Sequence, residues 1–222
     1  MGGRGGPLAI PGTYTVEVNQ MAMSKPEAGG DDDSESPAMK VTTIVQPVEF
    51  EIEPLTFGDT SETDREAILE FANKANALSK TVSAASQVAS KAQEQIDAIE
   101  SVIQQSADLD PELQTELRAI EEKLMDVREK FNGDPTRSRR NEAAYPGFMS
   151  RLRTMMQGAM GSTTGPTETH KSQYEIVVEE YEEVIDDLQS ILDEDLPGIN
   201  EKLDEAGAPW TPGRGIPELK DK

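Results

Sequence analysis

Apolar side chains recur every three or four residues, without one exception, from residue 68 to residue 103. This unbroken heptad stripe predicts a long helix, about 64–106, that packs lengthwise against other helices in a left-handed supercoil. Alanines in the middle of the stripe permit a close approach of the neighbouring helix. Thr63 and Glu66 have the spacing of a capping box at the helix start. The stripe consists of Ile68, Phe71, Ala75, Leu78, Val82, Ala85, Ala89, Ala92, Ile96, Ile99 and Ile103.

Two further helices follow with the same spacing. Asp110 and Pro111 supply an N-cap and a first-turn proline, which predicts a second helix over 111–131. A shorter, methionine-rich helix is predicted over 147–160, after an aperiodic loop. The apolar positions are Leu113, Leu117, Ile120, Leu124, Val127 and Phe131 in the second helix, and Met149, Leu152, Met155, Met156 and Met160 in the short one.

The last helix is predicted over 167–206, with Gly207 as its C-cap. Its spacing slips after Leu192, and this slip predicts a local kink beside Pro197. The predicted inward positions are Tyr174, Val178, Tyr181, Ile185, Leu188 and Leu192, then Leu196, Ile199 and Leu203.

The helix lengths predict how the helices assemble. At 1.5 Å per residue the first helix spans roughly 65 Å, the last nearly as much and the second about half of that. The loop over 134–146 and the short helix can carry the returning chain over the remainder. We therefore expect a mainly α fold, an elongated antiparallel three-helix bundle that is coiled-coil-like and has a broken middle rod. Its narrow core suits a chain in which Leu, Ile, Val and Phe make up only about a fifth of the residues.

Residues 13–53 have a different period. Apolar and polar residues alternate over 13–18 and again over 40–53, which predicts two antiparallel strands interrupted near Pro47. Between them, the acidic segment 25–38 predicts a disordered hairpin tip. A two-stranded ribbon is marginal in water unless a further element covers its apolar face. The ribbon is therefore predicted to be part of an incomplete sheet.

These patterns predict three regions. Residues 1–58 form a β-ribbon, 59–209 the helical bundle and 210–222 a flexible tail. No apolar run is long enough to span a membrane and no signal peptide is present, so the chain as written is expected to be soluble.

The charge balance excludes several partners. The chain has 43 acidic and 21 basic side chains, a net charge of −22, and no cysteine. Nucleic-acid phosphate and anionic membranes are repelled by such a charge. Disulfides and cysteine metal sites are excluded by composition.

No motif for catalysis or cofactor binding is present. The acidic residues after Lys171 predict a solvated helix face, since His170 lacks the preceding glutamate of a di-metal bundle site. Asp31–Asp33 lacks the remaining ligands of an EF-hand loop. His170 has no nucleophile-elbow sequence, and the N-terminal glycines do not form a dinucleotide-binding fingerprint. We expect no cofactor, no metal and no catalytic residue, and interpret His170 as capping or packing the first turn of the last helix.

The remaining distinctive side chains have two interpretations each. Met155 and Met156 can form an adaptable partner contact, but helical spacing favours a place in the core. Trp210 can anchor a partner, although a lone indole after a helix C-cap more often packs on the helix ends. The basic residues Arg151 and Arg153 are expected to dock on the acidic last helix and to hold the broken middle rod.

Two stretches resemble a known family. Gly5-Gly-Pro-Leu-Ala-Ile-Pro-Gly-Thr-Tyr-Thr-Val16 resembles the segment after the β-propeller of bacterial sortilin-like proteins, often named BNR-repeat or Asp-box glycosyl hydrolases. Ser162-Thr-Thr-Gly-Pro-Thr-Glu-Thr-His170, Asp195-Leu-Pro197 and Ala206-Gly-Ala-Pro-Trp-Thr-Pro-Gly-Arg214 look like the C-terminal end of the same proteins, in the same order.

The resemblance implies that the chain corresponds to the end of a larger protein. The strands would then be the last strands of an Ig-like sandwich, and the helices a C-terminal extension. No Asp-box pattern occurs here, so no catalytic position is carried over. The implied partner is an upstream β-propeller or Ig-like domain, or another protein, and the implied location is extracellular or periplasmic if an exported larger protein contains this region.

Three functional hypotheses remain. The first is a non-catalytic structural or interaction module. The second is an accessory part of a glycosyl hydrolase that is active only with its propeller. The third is an acidic helical bundle of a halophile that associates into homo-oligomers.

Overall fold

The computed structural model describes residue 9 and residues 11–23, 39–53, 62–106, 109–161 and 165–216. The predicted acidic tip at 25–38 lies outside these residues, as do the side chains of Thr63 and Met160. About 69% of the described residues are helical, and the chain divides into two compact units, Leu8–Glu62 and a unit that contains Thr63–Lys222. The predicted mainly α class with a preceding two-stranded sheet is therefore confirmed.

The first unit contains an antiparallel pair of strands. Strand β1 spans Gly12–Met23 and strand β2 spans Met39–Ile52. The register shifts twice between Val16 and Asn19, where β2 carries extra residues near Pro47. Proline has no amide hydrogen for a ladder bond, and a bulge accommodates it. Strand β2 therefore continues through the position of the predicted interruption with a shift of register, and β1 extends beyond the predicted end at residue 18.

One face of the ribbon is apolar and open. Tyr14 pairs with Phe50, with ring centroids 6.2 Å apart, and the valine pairs Val16–Val48 and Val18–Val45 follow on the same face. These valines and Phe50 are 46% to 53% exposed. Sheets normally bury such a face, but none of the described residues of this unit, 9, 11–23 and 39–53, forms a layer that covers it.

The second unit begins with two helices whose buried positions follow the predicted stripes. Helix α1 spans Glu62–Gln105 and helix α2 spans Pro111–Asn132. All six predicted positions of α2 are buried, and Asp110 caps this helix by accepting from the Glu112 amide at 2.9 Å. In α1 the buried residues are Phe71, Ala72, Ala75, Val82, Ala85, Ala89, Ala92, Ile96 and Ile99.

A short excursion separates α2 from the next long element. Helix α3, Pro135–Arg139, occupies part of the segment predicted as a loop, and helix α4 spans Phe148–Gly161. Asp134 caps α3 by accepting from the Thr136 and Arg137 amides at 2.7 and 3.1 Å. A five-residue helix has too few residues to show a periodic apolar pattern, which is why the sequence did not predict it.

The last helix differs from its predicted seam. It consists of α5, Glu168–Ser190, a π-helical turn, Ile191–Asp195, and α6, Leu196–Glu205. The predicted inward residue Val178 is 44% exposed, and its neighbour Val177 is buried instead. The correct stripe on α5 and the π turn comprises Val177, Tyr181, Val184, Leu188 and Ile191, of which Tyr181 is only partly buried.

The π turn explains the slip in the sequence pattern. Its extra residue per turn gives a step of five between the buried residues Ile191 and Leu196, after which the normal spacing resumes. Pro197 lies one residue inside α6 and has no amide to donate to the preceding turn. The structure therefore contains a π turn where a kink was predicted.

Ion pairs and polar contacts give the helix directions. Glu116 and Lys123 of α2 contact Lys202 and Asp195 of the last helix, the second pair at 2.7 Å. Residue numbers rise on α2 as they fall on the partner, so α2 and the last helix are antiparallel. Helices α1 and α2 are antiparallel as well, because the chain passes directly from Gln105 to Pro111 and Arg128 donates to Gln93 at 2.8 Å further along both helices.

An aromatic cluster joins the middle of the unit. The rings of Phe131 and Phe148 meet edge to face with centroids 5.6 Å apart, and Phe148 lies 6.5 Å from Tyr181. The end of α2, the start of α4 and the middle of α5 thus share one core layer. On α1, Phe71 lies 6.2 Å from Tyr174 of α5.

Candidate functional site

An open depression of about 550 Å³, here called the cavity, lies beside helix α6. Its walls come from Gln95 of α1, from the π turn and α6, and from residues 213–215 of the segment that follows α6. Cavities of this volume accommodate a side chain or a small molecule.

The segment after α6 folds back as an ordered loop. Helix α6 ends in a Schellman motif, in which the Ala208 amide donates to the Leu203 carbonyl at 2.9 Å and Gly207 has a φ of 67°. Thr211 is buried. Trp210, Thr211 and Arg214 lie in the segment predicted as a flexible tail, and in the structure they contact the end of α6 or the loop itself.

Arg214 is the main contact of this loop. Its side chain is only 7% exposed, and its guanidinium donates to the Asp204 carboxylate at 2.9 Å. It also donates to the backbone carbonyls of Ala208 and Pro209, at 3.3 and 2.7 Å. The planar guanidinium group thus donates to one carboxylate and two backbone carbonyls, and these bonds hold the loop against the end of α6.

Trp210 contributes its indole nitrogen to the same loop. The indole donates to the carbonyl oxygens of Arg214 and Gly215, at 3.1 and 2.8 Å, while the side chain remains 51% exposed. Trp210 therefore has both a structural bond and an accessible surface, and neither of its two predicted roles is contradicted.

Asn200 is the distinctive side chain of the cavity wall. It is 8% exposed, and its Oδ1 atom has no hydrogen-bond partner among the described residues. Thr211 Oγ1, in the loop, is a second buried oxygen without a partner in that part of the chain. A buried acceptor without a donor costs about 1–3 kcal/mol.

The cavity also has a negative balance of charge. Glu201, Asp204 and Glu205 line it together with a single cation, Arg214, which Asp204 already binds. Apolar wall comes from Leu192, Leu196 and Pro197. The sequence did not predict this site, because Asn200 and Glu201 lie in an acidic helix with no motif spacing.

A second cavity, of about 610 Å³, lies where α2, α4 and α5 meet. Lys130 and Glu180, both in its wall, form an ion pair at 3.2 Å. No buried polar atom without a partner is recorded for its wall residues, all of which are described. It is a weaker candidate than the cavity beside α6.

The structure gives definite positions to the predicted site residues of α4. Met155 is completely buried and Met156 is partly buried against the core, the positions that helical spacing favoured. Arg151 donates to Gln173 of α5 at 2.8 Å. Arg151 therefore contacts the acidic helix as expected, although its partner is the side-chain amide of Gln173 and not a carboxylate. Arg153 is exposed.

The predicted capping residues lie at helix starts. His170 accepts from the Thr167 amide through Nδ1 at 3.2 Å, and Thr167 Oγ1 accepts from the His170 amide at 3.4 Å. This is a capping box with histidine in the usual place of glutamate. Pro111 occupies the first turn of α2. Helix α1 already includes Thr63, and Glu66 is exposed one turn further on.

Three carboxylates, Glu121, Glu100 and Asp97, lie near one another between α1 and α2, and the charge of Arg118 offsets their repulsion in part. Burial, and then the nearby charges of Glu100 and Asp97, raise the pKa of the Glu121 carboxyl above its ordinary value of 4.5. Within the described ranges, no group of three histidine, cysteine or acidic side chains is arranged to hold a metal ion. In the same residues, no helix combines the length and the apolar character that a membrane crossing requires.

Comparison of the chain with protein-family models, with curated proteins and with solved structures gave no match in any of the three.

Proposed function

We propose that the chain is a non-catalytic structural and interaction module, the C-terminal extension of a sortilin-like β-propeller protein. In this proposal the helices form an elongated three-helix bundle, with α2 and α4 as the two halves of the middle rod. The ribbon provides the last strands of an Ig-like sandwich. The module spaces or docks the upstream domains, at an extracellular or periplasmic location.

The observation that carries the proposal is the open apolar face of the ribbon. Valines and Phe50 on this face are about half exposed, while the helical unit has a continuous buried core of its own. An exposed, contiguous apolar surface is typical of an interaction site. The antiparallel contacts of α2 support the bundle, and the resemblance of the two sequence stretches supports the family.

The test uses the full chain and two ribbon variants. The first carries Val16→Thr, Val48→Thr and Phe50→Thr on the apolar face. The control carries Met21→Thr and Val41→Thr, a directly paired set on the opposite face of the ribbon. Fluorescence of an apolar dye, sedimentation mass and helical circular dichroism are measured over a range of protein concentrations.

We expect the unmodified chain to bind the dye and to gain mass with concentration. The apolar-face variant should lose both properties, and the control should keep them, with the same helical signal in all three. A monomeric chain that binds no dye, or turnover of a sugar substrate by this chain alone, would overturn the proposal. Folding and association only at molar salt would instead favour the halophilic bundle.

A further inference from the structure

We propose that Asn132 and Gly133 form a site of spontaneous modification, at which the asparagine deamidates when the junction between α2 and α4 opens. Of the asparagines in the sequence, only Asn132 is followed by glycine. Glycine is the neighbour that favours this reaction most, because it has no Cβ atom to obstruct the attack. The Asn132 side chain is exposed at the last position of α2. The proposal concerns the helical unit and does not depend on the function proposed for the ribbon.

The reaction needs only these two residues and water. The backbone nitrogen of Gly133 attacks the side-chain amide carbon of Asn132, and a five-membered succinimide ring forms. The side-chain nitrogen leaves as ammonia and takes the proton of the attacking nitrogen with it. Water then opens the ring at either of its two carbonyl carbons. The products are aspartate and isoaspartate, and in isoaspartate the main chain runs through the former side chain.

The folded chain holds the attacking nitrogen in an unreactive position. The Gly133 amide donates its hydrogen to the Glu129 carbonyl at 2.7 Å. Gly147 packs on the same nitrogen, and a Cβ atom on Gly147 would overlap it and lie 2.9 Å from the Phe131 carbonyl oxygen. The attack requires a rotation about the backbone between Asn132 and Gly133, which this hydrogen bond and this packing oppose. The reaction of the folded chain is therefore limited by the fraction of molecules in which the junction is open.

The products disfavour closure of the junction. Each adds a negative charge at the C-terminal end of α2, where the helix dipole is already negative. Isoaspartate also lengthens the main chain by one methylene group between Phe131 and Gly133. Gly133 then cannot return to its contact with Gly147 while Phe131 stays packed on Phe148. Because the loss of ammonia is irreversible in water, a transient opening becomes a lasting one.

The test follows the full chain during a long incubation at mildly alkaline pH, beside the same chain unfolded in urea. Digestion with trypsin after Lys130 releases residues 131–137, and chromatography with mass spectrometry separates the asparagine, aspartate and isoaspartate forms. In urea, Asn132 should react before every other asparagine. In the folded chain its rate should be lower by at least about tenfold, because only the open fraction reacts.

Variants of the junction test the gating. Gly147→Ala should accelerate the reaction at least about tenfold in the folded chain, since the added methyl group separates the two backbones. Phe148→Leu is milder, because it removes only the edge contact with Phe131, and should accelerate the reaction about threefold. It serves if Gly147→Ala does not fold. Gly198→Ala has no atom within 4 Å of its Cβ position and should leave the rate unchanged.

A matched helix end separates backbone packing from helix geometry. Ala206→Asn places an asparagine before Gly207, which also has a positive φ and donates its amide hydrogen, to the Asp204 carbonyl at 3.1 Å. No atom lies within 4 Å of the Cβ position of Gly207. The introduced asparagine should therefore react faster than Asn132 in the same folded molecule.

Hydrogen exchange of the modified chain tests the lasting effect. After Asn132 has reacted, the amides of residues 129–133 and 147–150 should exchange about tenfold faster than in the unmodified chain. Unchanged exchange there would refute the lasting opening. Equal rates of deamidation in the folded and the urea-unfolded chain, or equal rates in the unmodified, Gly147→Ala and Phe148→Leu chains, would overturn the proposal as a whole.

Discussion

Gly147 packs directly against the backbone of Gly133, at the point where the chain leaves α2 and returns to begin α4. A Cβ atom on Gly147 would overlap the Gly133 amide nitrogen and lie 2.8 Å from the carbonyl carbon of Asn132. The atoms in its way belong to the backbone and cannot rotate aside. This contact brings Phe131 and Phe148 into one core layer across the break.

The glycine contact predicts a large effect of one methyl group. Gly147→Ala should destabilise the chain by about 3 kcal/mol, because the two backbones must separate. Gly198→Ala is the control, since no atom lies within 4 Å of its Cβ position in α6, and it should stabilise by about 0.5–1 kcal/mol. Urea unfolding followed by circular dichroism measures both. Similar values for the two variants would contradict the close contact.

The corrected seam of α5 predicts opposite outcomes for two adjacent valines. Val177→Ala should cost about 2 kcal/mol, because it removes two buried methyl groups. Val178→Ala should change the stability by less than about 0.5 kcal/mol, since this side chain is partly in water. Thermal unfolding of the two variants compares them directly. A larger loss of stability in the Val178 variant would instead favour the inward stripe that the heptad pattern predicted.

The carboxylate cluster predicts a dependence of stability on pH. The pKa of Glu121 is raised on folding by burial and by Glu100 and Asp97, so the folded state favours the protonated form. Stability from this group is present below its unfolded pKa and is lost as the pH rises through the folded pKa.

Glu121→Gln should therefore stabilise the chain at pH 7 by about 0.5 kcal/mol, and the gain should disappear toward pH 4. Glu122→Gln, an exposed change on the same helix, serves as the control. Denaturant unfolding at a series of pH values measures the difference. A gain that is independent of pH, or equal in both variants, would argue against the cluster.

The contact of Arg151 with α5 predicts local protection of α4. Arg151→Glu removes a hydrogen bond to Gln173 and places a negative charge against an acidic helix. Hydrogen exchange of residues 148–157 should then accelerate about tenfold. Arg153→Glu, at an exposed position, should leave exchange almost unchanged. Equal acceleration of hydrogen exchange in both variants would indicate a general attraction between basic α4 and acidic α5, without a specific contact of Arg151.

The histidine capping box predicts the stability of the start of α5. Thr167→Val removes the hydroxyl that accepts from the His170 amide and should cost about 1 kcal/mol. Thr169→Val, a similar change at an exposed position, is the control. His170→Gln should keep most of the stability, because glutamine can also accept from the Thr167 amide. Calorimetric melting of the three variants tests these expectations.

Regular periodicity was enough to predict most of the helices and both strands. In α2 the apolar residues have one spacing and one possible face, so every predicted inward residue is buried. In α5 two stripes share Tyr181 and Leu188, and sequence alone does not decide between Val177 and Val178. Packing against the other helices makes that choice.

The sequence by itself determined the class of the long helices and of both strands, because burial of one face requires period two in strands and about 3.6 in helices. Only the tertiary structure decided how α2 meets α4, how the loop after α6 is held, and where the cavity lies. The backbone contact of Gly147 with Gly133 and the capture of Arg214 by Asp204 have no local pattern. Each of these contacts joins residues that lie ten or more positions apart, so only the folded chain brings them together.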